Sequence, residues 1–439
     1  MLITSLISHT YELFNRIDNS NLPADSVIDR YFRSHRYLGS HDRKFIAETI
    51  YGTLRHRRRY EHILEILMKN IKREISKKDT VLLILTTYIL ENGNLSETEI
   101  ELIEKGIFNE QGIMFKIKNI LSGTYEISND DVSKSIGIKY SYQDWMIKWF
   151  VTDYSAEEAE RICASLNEPA PLNLRVNTLK TTLEKCQEEL YKEGVETYRT
   201  RLSPYGLLVP KRLNVFSLKT FQKGWFEVQD EGSQLIPIYI DPKPTDKLLD
   251  VCAGAGGKTL EFSVIMKNRG EIFATDINNY RLRELRKRAK RAGAHNIRVM
   301  QIRKITDLLK NFSGFFDIVF VDSPCSGLGT LRRNPGMKWK VTENTVYELV
   351  KKQKKILEES TPLVKTGGKL VYATCSILKK ENEQQIENFL ALNPNFSLVK
   401  FKHNLNNQFI SELISNGYLK LMPHIHGTDG FFCAVLKKQ

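Results

Sequence analysis

Along the first third of the chain apolar positions recur every three or four residues, whereas in its second half they gather into short runs separated by amphipathic stretches. The first pattern is that of helices packed by one face; the second is that of buried strands alternating with helices. From Met1 to about Lys134 the spacing predicts helices throughout, strand-like alternation is scarce, and Pro23 is the only proline. After about Lys139 the pattern changes. EEAERICASL reads as a helix, PLNLRVNTL (171–179) as a strand, TTLEKCQEELYKEG as a helix ending at Gly194 and GLLVP as a second strand, which together predict a small α+β module. From Gly224 onward the runs KLLDVCA, EIFATD, FDIVFVD, GKLVYATC and GFFCAVL predict a mostly parallel sheet with helices on both faces. The expected organisation is an all-helical domain over 1–134, an α+β module over 135–223 and an α/β domain over 224–439.

Length agrees with several cores: 439 residues suffice for two or three domains. The amino-terminal MLITSLISHTYELFNRID lacks the basic start, apolar stretch and cleavage site of a secretory signal, and VLLILTTYIL (81–90) is about half the ~20 residues that cross a bilayer. Six cysteines without a CxxC pair argue against a zinc site or a disulfide framework. His424 and His426 lack further ligands and read as loop packing, so no metal is expected. The expectation is a soluble, monomeric, cytoplasmic protein. A net charge of +13 and a pI near 9.2 favour a polyanionic partner, with nucleic acid ahead of an anionic membrane. Basic residues interleave with aromatics in RYFRSHRYLGSHDRKF (30–45) and RHRRRY (55–60), which makes Arg55, Arg57 and Arg58 candidate RNA contacts.

Chemistry enters at LLDVCAGAGGKTLEF (248–262), where a buried strand runs into a glycine-rich turn and then a helix, leaving helix-start amides free for a ligand. The next strand ends at Asp276, where an acidic side chain can accept from ribose hydroxyls. A phosphate loop of the GxxxxGK[ST] kind needs glycine at position 252, which is Cys252, and GxGxxG fails at Thr259. A dinucleotide stays open on these residues, with S-adenosylmethionine the leading cofactor.

Two cysteines stand in similar settings: Cys325 in VDSPCSG after one strand, and Cys375 in YATCSIL after another. Carboxyl ends of neighbouring parallel strands converge on one crevice, so both thiols are expected to face one substrate. Methylation at carbon-5 of cytosine suits such a pair. That carbon becomes nucleophilic only after a thiolate adds at carbon-6, and a second group is needed when the adduct breaks down. Asp322 could hold the cytosine edge.

Together DVCAGAGGKT, DSPCSGLGTLRRNPGMKW and YATCS resemble the NOL/NOP/Sun family of RNA cytosine-5 methyltransferases, in its RsmB/Sun branch. ADSVIDRYFRSHRYLGSHDRKFIAETIYGTLRH (24–56) looks like the NusB-type RNA-binding domain of that branch, and PLNLRVNTLK, FEVQDEGSQL and PHIHGTDGFF match in order, so nearly the whole chain is covered. The resemblance implies a class I Rossmann-like methyltransferase domain behind an RNA-recognition module, acting on RNA, with 16S ribosomal RNA the expected substrate. It makes Cys375 the nucleophile, Cys325 the residue assisting adduct release, and Cys252, Ala253, Gly254, Ala255, Gly256, Gly257, Lys258, Asp276 and Asp322 the cofactor contacts. DNA cytosine methyltransferases, which use the PC cysteine as nucleophile, are the nearest chemical rival.

Two departures stand out. The family loop CAAPGGKT reads CAGAGGKT here, with Gly254 and Ala255 in place of alanine and proline, and the strand IRVM is followed by Gln301 and Arg303 where a third acidic cofactor contact is expected. Arg175 in the small module and Arg332, Arg333, Lys338 and Trp339 after the Cys325 loop are further candidates for RNA, the last as a base-stacking ring. The competing reading is a NusB-like RNA-binding or ribosome-assembly factor with an inactive methyltransferase fold; a relative modifying tRNA is another.

Overall fold

The computed structural model describes every residue except 71–74, 94, 109–110, 124–126, 128–130, 212 and 400–412. It divides into two compact units, Met1–Glu168 with Leu331–Glu343, and Pro169–Thr330 with Asn344–Gln439.

The first unit is helical, as the three- and four-residue spacing predicts. Ile3–Asp18 buries Ile3, Leu6, Ile7, Leu13, Phe14 and Ile17 along one stripe. Helix starts are fixed by side chains that accept orphan amides: Ser76 from Asp79, Ser155 from Glu158, and Ser96 within a capping box with Glu99. The Leu331–Glu343 segment packs into this unit, with Trp339 against a cluster containing Phe14, Ile50 and Leu54. Among the described residues no helix is long and apolar enough to cross a membrane.

The second unit holds two sheets. The smaller consists of β1 (Leu172–Val176), β2 (Tyr198–Arg199), β3 (Gly206–Val209) and β4 (Phe226–Val228) in the order β2-β3-β1-β4, all antiparallel. Helix Leu183–Lys192 covers it with Cys186 and Leu190. β1 and β3 coincide with the expected strands. β4, lying past Gly224, completes this sheet.

The larger sheet contains β5 (Lys247–Asp250), β6 (Glu271–Asp276), β7 (Ile297–Gln301), β8 (Phe316–Asp322), β9 (Val364–Thr374), β10 (Phe396–Leu398), β11 (Ile414–Ser415), β12 (Tyr418–Leu421) and β13 (Phe431–Lys438). Their order is β11-β12-β13-β9-β8-β5-β6-β7, with β10 on β13. β5 to β9 run parallel, and β10 to β13 are antiparallel to their neighbours. The sheet is therefore mixed rather than mostly parallel. An apolar run such as GFFCAVL signals a buried strand but leaves its direction to the connection that feeds it.

Alternation explains the continuous apolar runs. Leu249, Val319 and Leu370 face one core, while Leu248, Ile318 and Val371 face the other, so these central strands are covered on both faces. Register then levels the strand ends. Asp250 lies opposite Ala274 and Phe320, and Asp322 opposite Ala373, which brings Cys252, Asp276, Asp322 and Cys375 to one edge.

Candidate active site

The loop after β5 turns through two glycines in the left-handed region, and at the second of them a side chain would clash. Gly254 and Gly256 adopt φ of 55° and 84°, and a Cβ on Gly256 would stand 2.7 Å from Leu285 Cγ. Asp276 Oδ2 accepts from the Gly254 amide at 3.0 Å, and Oδ1 accepts from Asn278 N at 2.7 Å. Ala253 N donates to Thr275 O at 2.9 Å, and Ala255 O accepts from Arg288 at 2.8 Å, so the turn without proline is still held from both sides. Gly257 opens the following helix, and its carbonyl accepts from Arg175 at 3.2 Å. Beneath the loop Asp250 Oδ2 accepts from Thr259 Oγ1 at 2.6 Å, while Oδ1 has no partner among the described residues. Burial pushes this carboxyl up to about 7, with help from the nearby carboxylates of Asp322 and Asp276.

A cavity of about 560 Å³ opens at this edge, lined among others by Cys252, Asp276, Ile277, Ile302, Asp322 and Pro324. Where a third acidic contact was sought, the wall is Ile302, Arg303 and Lys304. Asp307 is occupied in capping its own turn, accepting from Lys304 N at 3.1 Å. Lys258 donates to Asp322 at 2.8 Å. Burial works against its ammonium, but the Asp322 charge outweighs this and holds the pKa above its ordinary value.

The two thiols meet, with Cys325 Sγ 3.4 Å from Cys375 Sγ. Backbone bonds stitch their loops together: Ser323 N to Ala373 O at 2.8 Å and Gly329 N to Cys375 O at 3.0 Å. A carboxylate that the sequence reading missed fixes this arrangement from below. Glu381 is fully buried and accepts from Ser326 N at 2.8 Å, from Ser326 Oγ, and from Gln353 Nε2 at 2.9 Å. Gln353 also holds Pro324 O at 3.1 Å. In the sequence Glu381 is one acid in the charged run KKENEQ, and its place six residues after Cys375 was the available signal. The hydrogen bond with Cys375, burial and the Glu381 charge together push the Cys325 thiol well above its ordinary pKa. Glu381 therefore disfavours a thiolate at Cys325.

The expected RNA contacts fare differently. Lys338 is fully buried and donates to Arg55 O at 3.0 Å, Ser141 O at 3.2 Å and Asn167 Oδ1. Arg175 is buried in an ion pair with Glu261 at 3.1 Å. These two charges serve internal partners, which corrects their assignment to phosphate. Arg57 pairs with Asp18 and Glu61, Arg58 with Asp144, and Arg55 donates to Arg332 O at 3.2 Å. Arg332 is 9% exposed and Arg333 half-buried. Trp339 donates to Leu54 O at 2.7 Å and lies under Arg57, packed rather than open to a base.

Parallel strands in the order β7-β6-β5-β8-β9, antiparallel β13 beyond them and a glycine turn answered by Asp276 make the second unit a Rossmann-like class I methyltransferase fold. The 16S rRNA methyltransferase RsmB/F pattern matches residues 237–437, and the RsmF/B-like ferredoxin-like domain matches residues 142–216. The probable ribosomal RNA small subunit methyltransferase B of Synechocystis sp. is 32% identical over 432 residues, 94% of this chain and 95% of that relative. The Bacillus subtilis protein of the same description is 28% identical over 449 residues, 99% of each. The crystal structure of PH0851 aligns over 100% of this chain and 99% of its own with a TM-score of 0.78 at 26% identity. The chain belongs to the RsmB/F family of methyltransferases.

Proposed function

We propose that the protein methylates carbon-5 of a cytosine in 16S ribosomal RNA, using S-adenosylmethionine and a covalent Cys375 adduct at carbon-6. The observation that carries this reading is the pair of thiols 3.4 Å apart beside the Lys258–Asp322 ion pair, at the edge where the cavity opens. The cavity's size, the aliphatic walls of Ile277 and Ile302 and the Asp276 carboxylate fit a nucleoside cofactor, because each Asp276 oxygen retains a lone pair for a ribose hydroxyl. When bound, the cofactor supplies an electrophilic methyl group.

The chain's own residues do the rest. Cys375 adds as the thiolate to carbon-6, and the electron pair displaced onto carbon-5 makes that carbon nucleophilic. Asp322 holds the amino edge or ring nitrogen of the base. Once carbon-5 carries the methyl group, its proton leaves to a base, the double bond re-forms and the Cys375 thiolate departs. Cys325, kept as a thiol, donates its hydrogen bond to the departing sulfur. The NusB-type resemblance of residues 24–56 supports a role in RNA binding for the helical unit, and the relatives' descriptions support small-subunit rRNA as substrate.

The test is incubation with unmodified 16S rRNA and labelled S-adenosylmethionine, followed by bisulfite mapping. Label at a cytosine, abolished by Cys375→Ser, is the expected result. Cofactor binding without transfer to any RNA would leave the inactive-fold reading standing.

A further inference from the structure

The proposed activity needs a surface for RNA phosphates, yet several of the cations noticed in the sequence are used internally. Helix Asn279–Ala292 offers what they lack. It carries seven basic residues against one carboxylate, Glu284. Leu282, Leu285, Ala289 and Ala292 are buried along one side. At 100° per residue Arg283, Arg286, Lys287 and Lys290 fall in a stripe on the opposite side, and all four are exposed. Lys287 pairs with Glu284 and Arg286 reaches Val299 O at 3.2 Å, while Arg283 and Lys290 have no ion-pair partner among the described residues.

A charged helix face is often just solvated, and helix Glu343–Ser360 shows what that looks like here. Its Lys351, Lys354 and Lys355 each meet a glutamate three or four residues away. On Asn279–Ala292 the four-residue neighbours Arg283 and Lys287, and Arg286 and Lys290, are instead like charges that repel and weaken the helix. The stripe also has continuity at both ends. Near its start Arg281 lines the cavity together with Arg303 and Lys304. At its end the exposed Lys180 donates to Arg291 O at 2.6 Å and to the carbonyl of exposed Lys223 at 2.9 Å, carrying positive charge onto the small module.

We propose that Arg283, Arg286, Lys287 and Lys290 form a phosphate-docking ridge for the RNA backbone, leading the strand toward the cavity; this rests on the reading of the protein as an RNA methyltransferase. From Arg283 to Lys290 the ridge is about 10 Å long at 1.5 Å per residue. It recognises phosphate rather than sequence.

The experiment replaces all four residues by glutamine in the full chain, because glutamine keeps helix propensity while removing charge. Circular dichroism and S-adenosylmethionine calorimetry report the fold and the cofactor site, both expected to be unchanged. Binding to an unmodified 16S rRNA fragment is then measured across potassium chloride concentrations. Each lost phosphate contact lowers the slope of log K against log salt by about 0.7–0.9, so loss of all four predicts a fall of about 3. A folded variant with the wild-type slope overturns the proposal. So does a variant that keeps its RNA slope but loses binding to phosphatidylglycerol vesicles, and so does a wild-type chain with no salt-dependent RNA binding. A wild-type chain that transfers no methyl while the variant still loses slope sinks the methyltransferase reading and leaves the ridge in place.

Discussion

Cys325 Sγ lies 3.4 Å from Cys375 Sγ, at the ends of two strands that are neighbours in the sheet although fifty residues separate the thiols. At that distance one sulfur hydrogen-bonds the other, so the state of each depends on its partner.

That dependence predicts the outcome of removing Cys325. With Cys325→Ala, Cys375 can still add to the base but loses the donor that assists its departure. A covalent protein–RNA complex should accumulate on denaturing gels, with turnover at least tenfold down, a loss of about 1.4 kcal/mol or more in transition-state stabilisation. A complex appearing instead in Cys375→Ser would reverse the two roles.

Glu381 should act through Cys325. Replacing it by glutamine keeps the side-chain shape and two polar atoms for Ser326 and Gln353 while removing the charge. In a Cys375→Ser background, mass-spectrometric alkylation of Cys325 should then shift to lower pH, because the carboxylate that discourages its ionisation is gone. An unmoved alkylation profile would mean that Glu381 only braces the loop.

Asp250 gives the fold a pH dependence of definite sign. Its carboxyl titrates near 7 in the folded chain and near 4 when unfolded, so the folded state binds the proton more tightly. Stability from this group is fully present below pH 4 and is lost as the pH rises toward 7, by a few kcal/mol at most. Denaturant unfolding of Asp250→Asn should show a flatter profile than wild type between pH 4 and 7. Parallel profiles would show that the buried carboxyl titrates normally.

Lys338 is expected to matter for folding and not for RNA. Lys338→Ala would leave the carbonyls of Arg55 and Ser141 and the Asn167 side chain without their donor and open a cavity, at a cost of about 2–4 kcal/mol. Thermal unfolding measures this directly. The salt slope of RNA binding should not change, and a reduced slope in a folded variant would return Lys338 to the RNA surface.

Much of the catalytic unit could be read from local patterns, because each feature is encoded within a few residues. The runs ending at Asp250, Asp276, Asp322 and Thr374 are buried strands whatever their order, and a glycine turn after the first of them predicts a ligand loop. The two cysteines could be paired on paper because strand ends converge. Glu381 was not visible in this way. Nothing in KKENEQ distinguishes Glu381, which turns inward to Ser326, from Glu383, which pairs with Lys420.

The cations show the same division from the other side. By itself the sequence determined that the chain is basic, where its helices and central strands fall, and that a glycine loop, two aspartates and two thiols end consecutive buried runs. Tertiary structure alone decided that β13 runs against β9, that Lys338 and Arg175 are enclosed while Arg283 and Lys290 face water, and that Glu381 lies beneath Cys325. The physical reason is range. Periodicity and turn chemistry act over a few neighbouring residues, whereas the environment of a charge is set by groups tens or hundreds of positions away.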